Sequence, residues 1–338
     1  MKTRSTSRSP SLRFWYARGT AIASLGLLAL GVIGCGDKAK VEDPNSKVAD
    51  RVLGVPELEA DPLLLFPGLS VSLSNTDARA LFANPTLGKD LLATLSVLLP
   101  LGDESGFVAS RDLERVYAAS YTLANVNIVG ALVGKFDASR IAAAAFAKVN
   151  TKYGPLLETT VSGRKVYTVG AVGFSVVSPR LVIVGDEMGL RRTLERLTTG
   201  IRARALEPWA VETVATKGMD VAVAIDLTRN PVERVNVGFT TMDVTKGLRM
   251  ARVFMKSGAG KEQLAGSLTF ATADDATRSE KQMRQLQELL ARFAITGVVP
   301  GIEKYQANIV GTNIQFTFEV DEPKLLPILR SVPQYLRP

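Results

Sequence analysis

One cysteine, Cys35, occurs in 338 residues. No intramolecular disulfide can therefore hold this chain, and its fold has to rest on an apolar core. The composition allows that: 46% of residues are hydrophobic, in a chain about as long as two ordinary domains. Beyond residue 34 no apolar run approaches the ~18 residues of a membrane-spanning helix, so no transmembrane helix is expected there. Short runs with strand-like alternation recur instead, punctuated by glycine turns.

Val116 to Leu123 and Val126 to Val133 read as paired strands. A helix starts at Asp137, where the acid can cap free amides, and runs through the alanine-rich Ile141 to Val149. Leu157 to Val161, the turn Ser162-Gly163-Arg164 and Lys165 to Val169 read as a hairpin, and Val172 to Val177 and Leu181 to Val184 as two more strands. A helix opened by Asp186 carries Leu190, Leu194 and Leu197 on one face.

The second half rhymes with the first. Val221 to Ile225, Leu248 to Met255 and Gln263 to Phe270 read as strands. A helix follows Asp274-Asp275, with Thr272 to Asp275 resembling a capping box. Tyr305 to Val310 and Ile314 to Val320 form a hairpin, and Asp321 starts the last helix. Leu69 to Leu73 as a strand and Leu87 to Leu99 as a helix complete the N-terminal half. The expected fold class is α+β, with largely antiparallel sheets, helices packed on one face and two similar halves. The halves would be residues 53–200 and 201–338, with a crossover from Gly200 to Gly218.

The first 34 residues carry Lys2, Arg4, Arg8, Arg13 and Arg18, no acid, and an uncharged run from Ala21 to Gly34. A basic leader before a short apolar stretch is the pattern of a secretory signal peptide, here residues 1–34. Its end, Val32-Ile33-Gly34-Cys35, resembles the lipobox of bacterial lipoproteins. That resemblance implies cleavage between Gly34 and Cys35, a diacylglycerol on the Cys35 thiol, and further acylation (palmitate) of the new amine. Two or more chains make a stable anchor. Residues 35–52 would form a lipidated, flexible tether. Gly36 beside the anchor implies sorting to the outer membrane, with the body facing the periplasm. Three further stretches, Gly134 to Asp137, Gly163 to Tyr167 and Leu181 to Asp186, look like those of bacterial envelope proteins of unknown function.

Without the leader, 36 basic residues face 33 acidic ones. The formal charge of +8 is thus largely a property of the discarded segment, and no basic stripe with interleaved aromatics points to nucleic acid. The chain has no histidine, which excludes Ser-His-Asp and Cys-His catalysis and the usual Cys/His zinc sites. No cofactor and no metal are expected, and no catalytic residue is assigned. Ser162 to Lys165 has a Ser-x-x-Lys spacing but sits in a turn rather than on a helix. Gly258 to Lys261 has Met255 and Glu262 where a phosphate loop needs Gly and Ser/Thr. Asp137, Asp186, Asp275 and Asp321 read as helix caps. Arg191, Arg192 and Arg196 lie in the densest basic cluster, with Arg202 and Arg204, and are the candidates for contact with anionic head groups.

Three functions compete. The leading one is a membrane-anchored, non-enzymatic envelope lipoprotein with a scaffold or binding role, whose partners are the bilayer, through the acyl chains on Cys35, and an envelope protein. The second is a carrier or sensor of an apolar ligand such as a lipid, held between the sheet and the helix Ile141 to Val149. The third is a histidine-free carboxylate hydrolase, which needs two acids from different elements converging in a cleft.

Overall fold

The computed structural model describes residues 51–122, 127–151, 153–237, 240–258, 260–294 and 302–336. The leader with Gly34 and Cys35, the tether up to residue 50, and Leu123 and Val126 lie outside the described residues.

The period-two segments assemble into one twelve-stranded sheet in which every neighbouring pair is antiparallel. From one edge to the other the order is β15 (Ile302–Val310), β16 (Asn313–Asp321), β14 (Lys261–Phe270), β13 (Leu248–Ser257), β10 (Val221–Asp226), β1 (Ser72–Asp77), β2 (Leu113–Ser120), β3 (Ile128–Gly134), β9 (Leu181–Gly185), β8 (Val172–Ser178), β7 (Arg164–Val169) and β6 (Leu157–Val161). The strands β4 (Asn150–Thr151) and β5 (Gly154–Pro155) form a separate small ribbon, as do β11 (Val235–Val237) and β12 (Thr240–Met242). The α+β class and the antiparallel pairing are those the alternation implied.

The order repeats about the β1–β10 pair. Outward from β1 run β2, β3, β9 and β8; outward from β10 run β13, β14, β16 and β15. The counterpart of the β15–β16 hairpin is therefore β8–β9, whereas the sequence reading set the 157–169 hairpin against it. That hairpin, β6–β7, is an extension of the N-terminal edge. The sheet is continuous across the seam, with Ser72 opposite Ile225 and Thr76 opposite Val221.

The C-terminal half buries one face. Along β16, Ile314, Phe316, Phe318 and Val320 are buried, and the residues between them are half-exposed. Leu264, Leu268 and Phe270 of β14 join that row, under Ala276 and Met283 of α8 (Ala273–Ala294) and Leu325 of α9 (Glu322–Leu336). Helix α9 also lies along α3 (Gly88–Leu98), where the buried Thr94 hydroxyl donates to Leu329 O at 3.2 Å. In the N-terminal half the cover extends to both faces. Leu181 and Ile183 pack with Leu190 and Leu194 of α6 (Glu187–Thr199). Val182, between them, packs with Ile141 and Ala145 of α5 (Ala138–Phe146) on the other side. The crossover contains a further helix, α7 (Pro208–Val214), whose Val211 and Val214 complete the α6 face.

The caps follow the sequence with one adjustment, at Thr272. Asp137 accepts from Arg140 N at 3.0 Å, and Asp186 from Gly189 N at 2.8 Å. Thr272 caps α8, its hydroxyl accepting from Asp275 N at 3.1 Å and donating to Asp275 Oδ2 at 2.8 Å. Asp321 is the last residue of β16 and directly precedes α9, which starts at Glu322. The alanine-rich helix stops at Phe146, short of Val149, where Lys148 takes a left-handed φ of 48°. β1 begins at Ser72, because Leu69 has a φ of 67° that no strand uses.

Candidate functional site: a buried carboxyl pair

Alternation along β14 puts even-numbered residues on the apolar face, and the row Leu264, Leu268, Phe270 obeys it. Its next member toward the strand start is Glu262, only 1% exposed, opposite Val320 of β16 and Ser257 of β13. A carboxylate thus stands where the pattern calls for a hydrocarbon. A second carboxylate, Glu322 in the first turn of α9, is also 1% exposed.

One side chain serves both. The Asn84 amide Nδ2 donates to Glu322 Oε1 at 2.9 Å and, at a longer 3.4 Å, to Glu262 Oε1. Asn84 follows α2 (Ala78–Ala83) and precedes Pro85. Its Oδ1 accepts from both Thr86 N and Leu87 N at 2.8 Å. This Asx turn fixes which end of the amide faces the acids. Ser257 Oγ adds a donor to Glu262 Oε1 at 3.1 Å. A third acid, Asp220, closes the nearby strand ends by accepting from Ser257 N at 2.7 Å and pairing with Lys256 at 3.2 Å. The remaining oxygens, Oε2 of Glu262 and Oε2 of Glu322, are buried and have no hydrogen-bond partner.

Burial pushes Glu262 up to about 7, against the pull of the Ser257 hydroxyl, and the charges of Glu322 and Asp220 push the same way. Two ionised carboxylates cannot share a sealed site cheaply without compensating cations. On the outer side of β14, Lys261 meets Glu303 at 2.7 Å and Glu319 and Asp321 at 3.6 Å, and Lys324 meets Asp321 at 2.6 Å. These are solvent-facing pairs of small energetic consequence. Glu262 can hold a proton, but nothing as large as a substrate reaches the inner acids through their burial.

The residues singled out from the sequence lie elsewhere. Arg191 pairs with Glu187 at 3.0 Å, and Arg192 lies 5.9 Å from the centre of the Tyr121 ring. Both are exposed. Arg196 turns inward, its Nε donating to Leu64 O at 3.1 Å and its other end to Ala203 O, and burial lowers its pKa. It ties the N-terminal segment and the crossover to α6. Leu53 N donates to Ile201 O at 2.7 Å, so the described chain begins beside the C-terminal end of α6. Ser162 and Gly163, at φ 50° and 74°, make the β6–β7 turn, and Lys165 pairs with Glu158 at 2.8 Å. Gly258 and Lys261 close the β13–β14 turn by a 2.9 Å backbone bond.

Under α5 the space is filled. Phe107 and Phe136 stack at 5.4 Å within the cluster that takes in Ile141, Ala144 and Ala145. A shallow cleft between Ser70, Glu207, Trp209 and Asp226 has room for little more than one water, far below the ~300–1,000 Å3 of ligand pockets. Among the described residues, no three His, Cys, Asp or Glu side chains converge as a metal site. No helix among them is long and apolar enough to cross a membrane.

The carboxyl pair itself went unread in the sequence. Its only local signal is Glu262 at an inward position of β14; Asn84 and Glu322 reach it from 178 and 60 residues away along the chain.

No protein-family model matches this chain, and no curated protein matches it. Among solved structures it is similar to crystal forms III and I of TP0453, at 13% and 11% identity. Each alignment has a TM-score of 0.49 and covers 80% of this chain, with 98% and 97% of those chains.

Proposed function

We propose that the chain is a bacterial envelope lipoprotein, anchored by acyl chains on Cys35, whose folded body has a non-enzymatic scaffold or binding role. The observation that carries the reading is the basic leader running into Val32-Ile33-Gly34-Cys35. The body starts beside α6, and its exposed Arg191 and Arg192 would reach a bilayer on a tether whose flexible part, Gly36 to Arg51, is sixteen residues long and roughly 20–25 Å in span. Those two arginines are the head-group contacts of this reading, and an envelope protein is its partner. Gly36 after the anchor supports the outer membrane as the destination. A binding rather than catalytic role is supported by the sealing of the convergent acids, Glu262 and Glu322, each 1% exposed.

The test is mass analysis of the mature N-terminus together with fractionation of a Cys35→Ser variant. A diacylglyceryl-modified Cys35 and transfer of the variant out of the membrane fraction are expected. An unmodified thiol or cleavage elsewhere overturns the anchor. For the binding role, cross-linked pull-down from envelope extract is expected to recover a stoichiometric partner, and its repeated absence counts against the role.

A further inference from the structure

Three segments that are distant in sequence meet at the carboxyl pair: the Asn84 turn, the start of β14 and the first turn of α9. Every polar contact made there by Oε1 of the two acids comes from a neutral donor, Asn84 or Ser257. Two buried oxygens, one from each acid, have no donor at all. An unpaired buried carboxylate oxygen is costly, and the commonest remedy is a proton. A proton on one acid turns it into a donor, and the other remains an acceptor.

We propose that Glu262 holds a proton beside the buried Glu322, and that this proton is a switch which clasps the first turn of α9 to β14 and to the Asn84 turn. With the proton in place, the pair counts as one charge, which the Asn84 and Ser257 donors can satisfy. When the proton passes to solvent, two like charges face each other in an apolar site, and α9 lifts at its N-terminal end.

The surroundings fix the direction. From the β13 end Glu262 faces Ser257 and, beyond it, Asp220, whose charge is balanced by Lys256 at 3.2 Å. From α9 it faces Glu322, and from the α2–α3 turn the uncharged Asn84. Lys261, its neighbour on β14, points to the other side and is engaged by Glu303, Glu319 and Asp321. No cation is bonded to either acid among the described contacts, so negative charge there is uncompensated. Glu262 is raised to about 7 in the closed form, while an open form returns it to the ordinary ~4.3 of an exposed glutamate. Opening therefore releases one proton between these values, and the clasp is tighter in acid.

Two measurements on the full chain test this. Infrared spectroscopy of the wild type at pH 6 is expected to show a protonated carboxylic acid band that fades through pH 7 and is lost in Glu262→Gln. Hydrogen exchange at the first-turn amides of α9, corrected for intrinsic rates, is expected to show opening that grows about tenfold per pH unit between pH 5 and 7 and levels off above. In Glu262→Gln, a neutral donor of the same shape, exchange should stay at its acid level throughout. Absence of the band overturns the proposal, as does an exchange profile that is flat in the wild type or equally steep in the variant. If Glu262→Gln does not fold, the wild type decides alone: a missing band or a flat exchange profile overturns the switch.

Discussion

The side-chain amide of Asn84 donates to Glu322 at 2.9 Å across 238 positions of sequence. The bond joins the turn before α3 to the start of α9, two helices that also pack along each other. Asn84 thereby uses all of its valences: two backbone amides on its oxygen and two acids on its nitrogen.

Asn84→Ala is therefore expected to cost about 3 kcal/mol or more, since it strands two carboxylates and two backbone amides at once. Asn84→Asp separates the two duties: its oxygen still accepts from Thr86 and Leu87, but it adds a third acid to the pair. It should be destabilised at both pH 5 and pH 7.5, and more strongly at pH 7.5. Urea denaturation at the two pH values checks both.

The chain should have a stability maximum in mild acid. Glu262 has its pKa raised on folding, so the native state holds the extra proton. Its contribution is complete below the unfolded value of ~4.3 and is lost as pH rises through about 7, a difference of the order of 3 kcal/mol. Asp112, hydrogen-bonded by Arg111 and by Val108 N, is held below the usual carboxylate range. Its contribution is present above the unfolded value and is lost as pH falls through the lowered one. Thermal midpoints measured from pH 3 to 8 should peak near pH 5, and Glu262→Gln should flatten the alkaline side. A midpoint that rises steadily from pH 5 to 8 contradicts the assignment.

Asp186 does two jobs on one carboxylate. Oδ1 caps α6 through Gly189 N at 2.8 Å, and Oδ2 accepts from Ile128 N at 2.7 Å at the start of β3. Asp186→Ala should cost about 2 kcal/mol. Asp186→Asn should recover part of it, because its oxygen can cap the helix while its amide cannot accept from Ile128. Chemical denaturation and exchange at the Ile128 amide separate the two effects.

Where burial was set by neighbours on the same hairpin, the sequence was legible. Ile314 to Val320 alternates strictly and does so in the structure. Leu157 to Val161 alternates poorly because β6 is an edge strand and most of its residues are exposed. The alanine-rich stretch marked a tightly packed helix, but its end was decided by the backbone at Lys148. The carboxyl pair was illegible for a different reason. A glutamate two residues after a glycine turn reads as solvent-facing, and only the arrival of α9 and the Asn84 turn from afar buries it. Arg196 shows the same effect: spacing placed it in a basic cluster, whereas two carbonyl oxygens from the flanking segments turned it inward.

The clasp also bears on the order in which the body can form. Local hairpins such as β15–β16 can pair as soon as they leave the ribosome, but Glu322 belongs to the last helix of the chain. Until that helix emerges, Asn84 and Glu262 have no third member to close on. Of the three segments that meet there, the one that completes the contact is made 238 residues after Asn84 and 60 after Glu262.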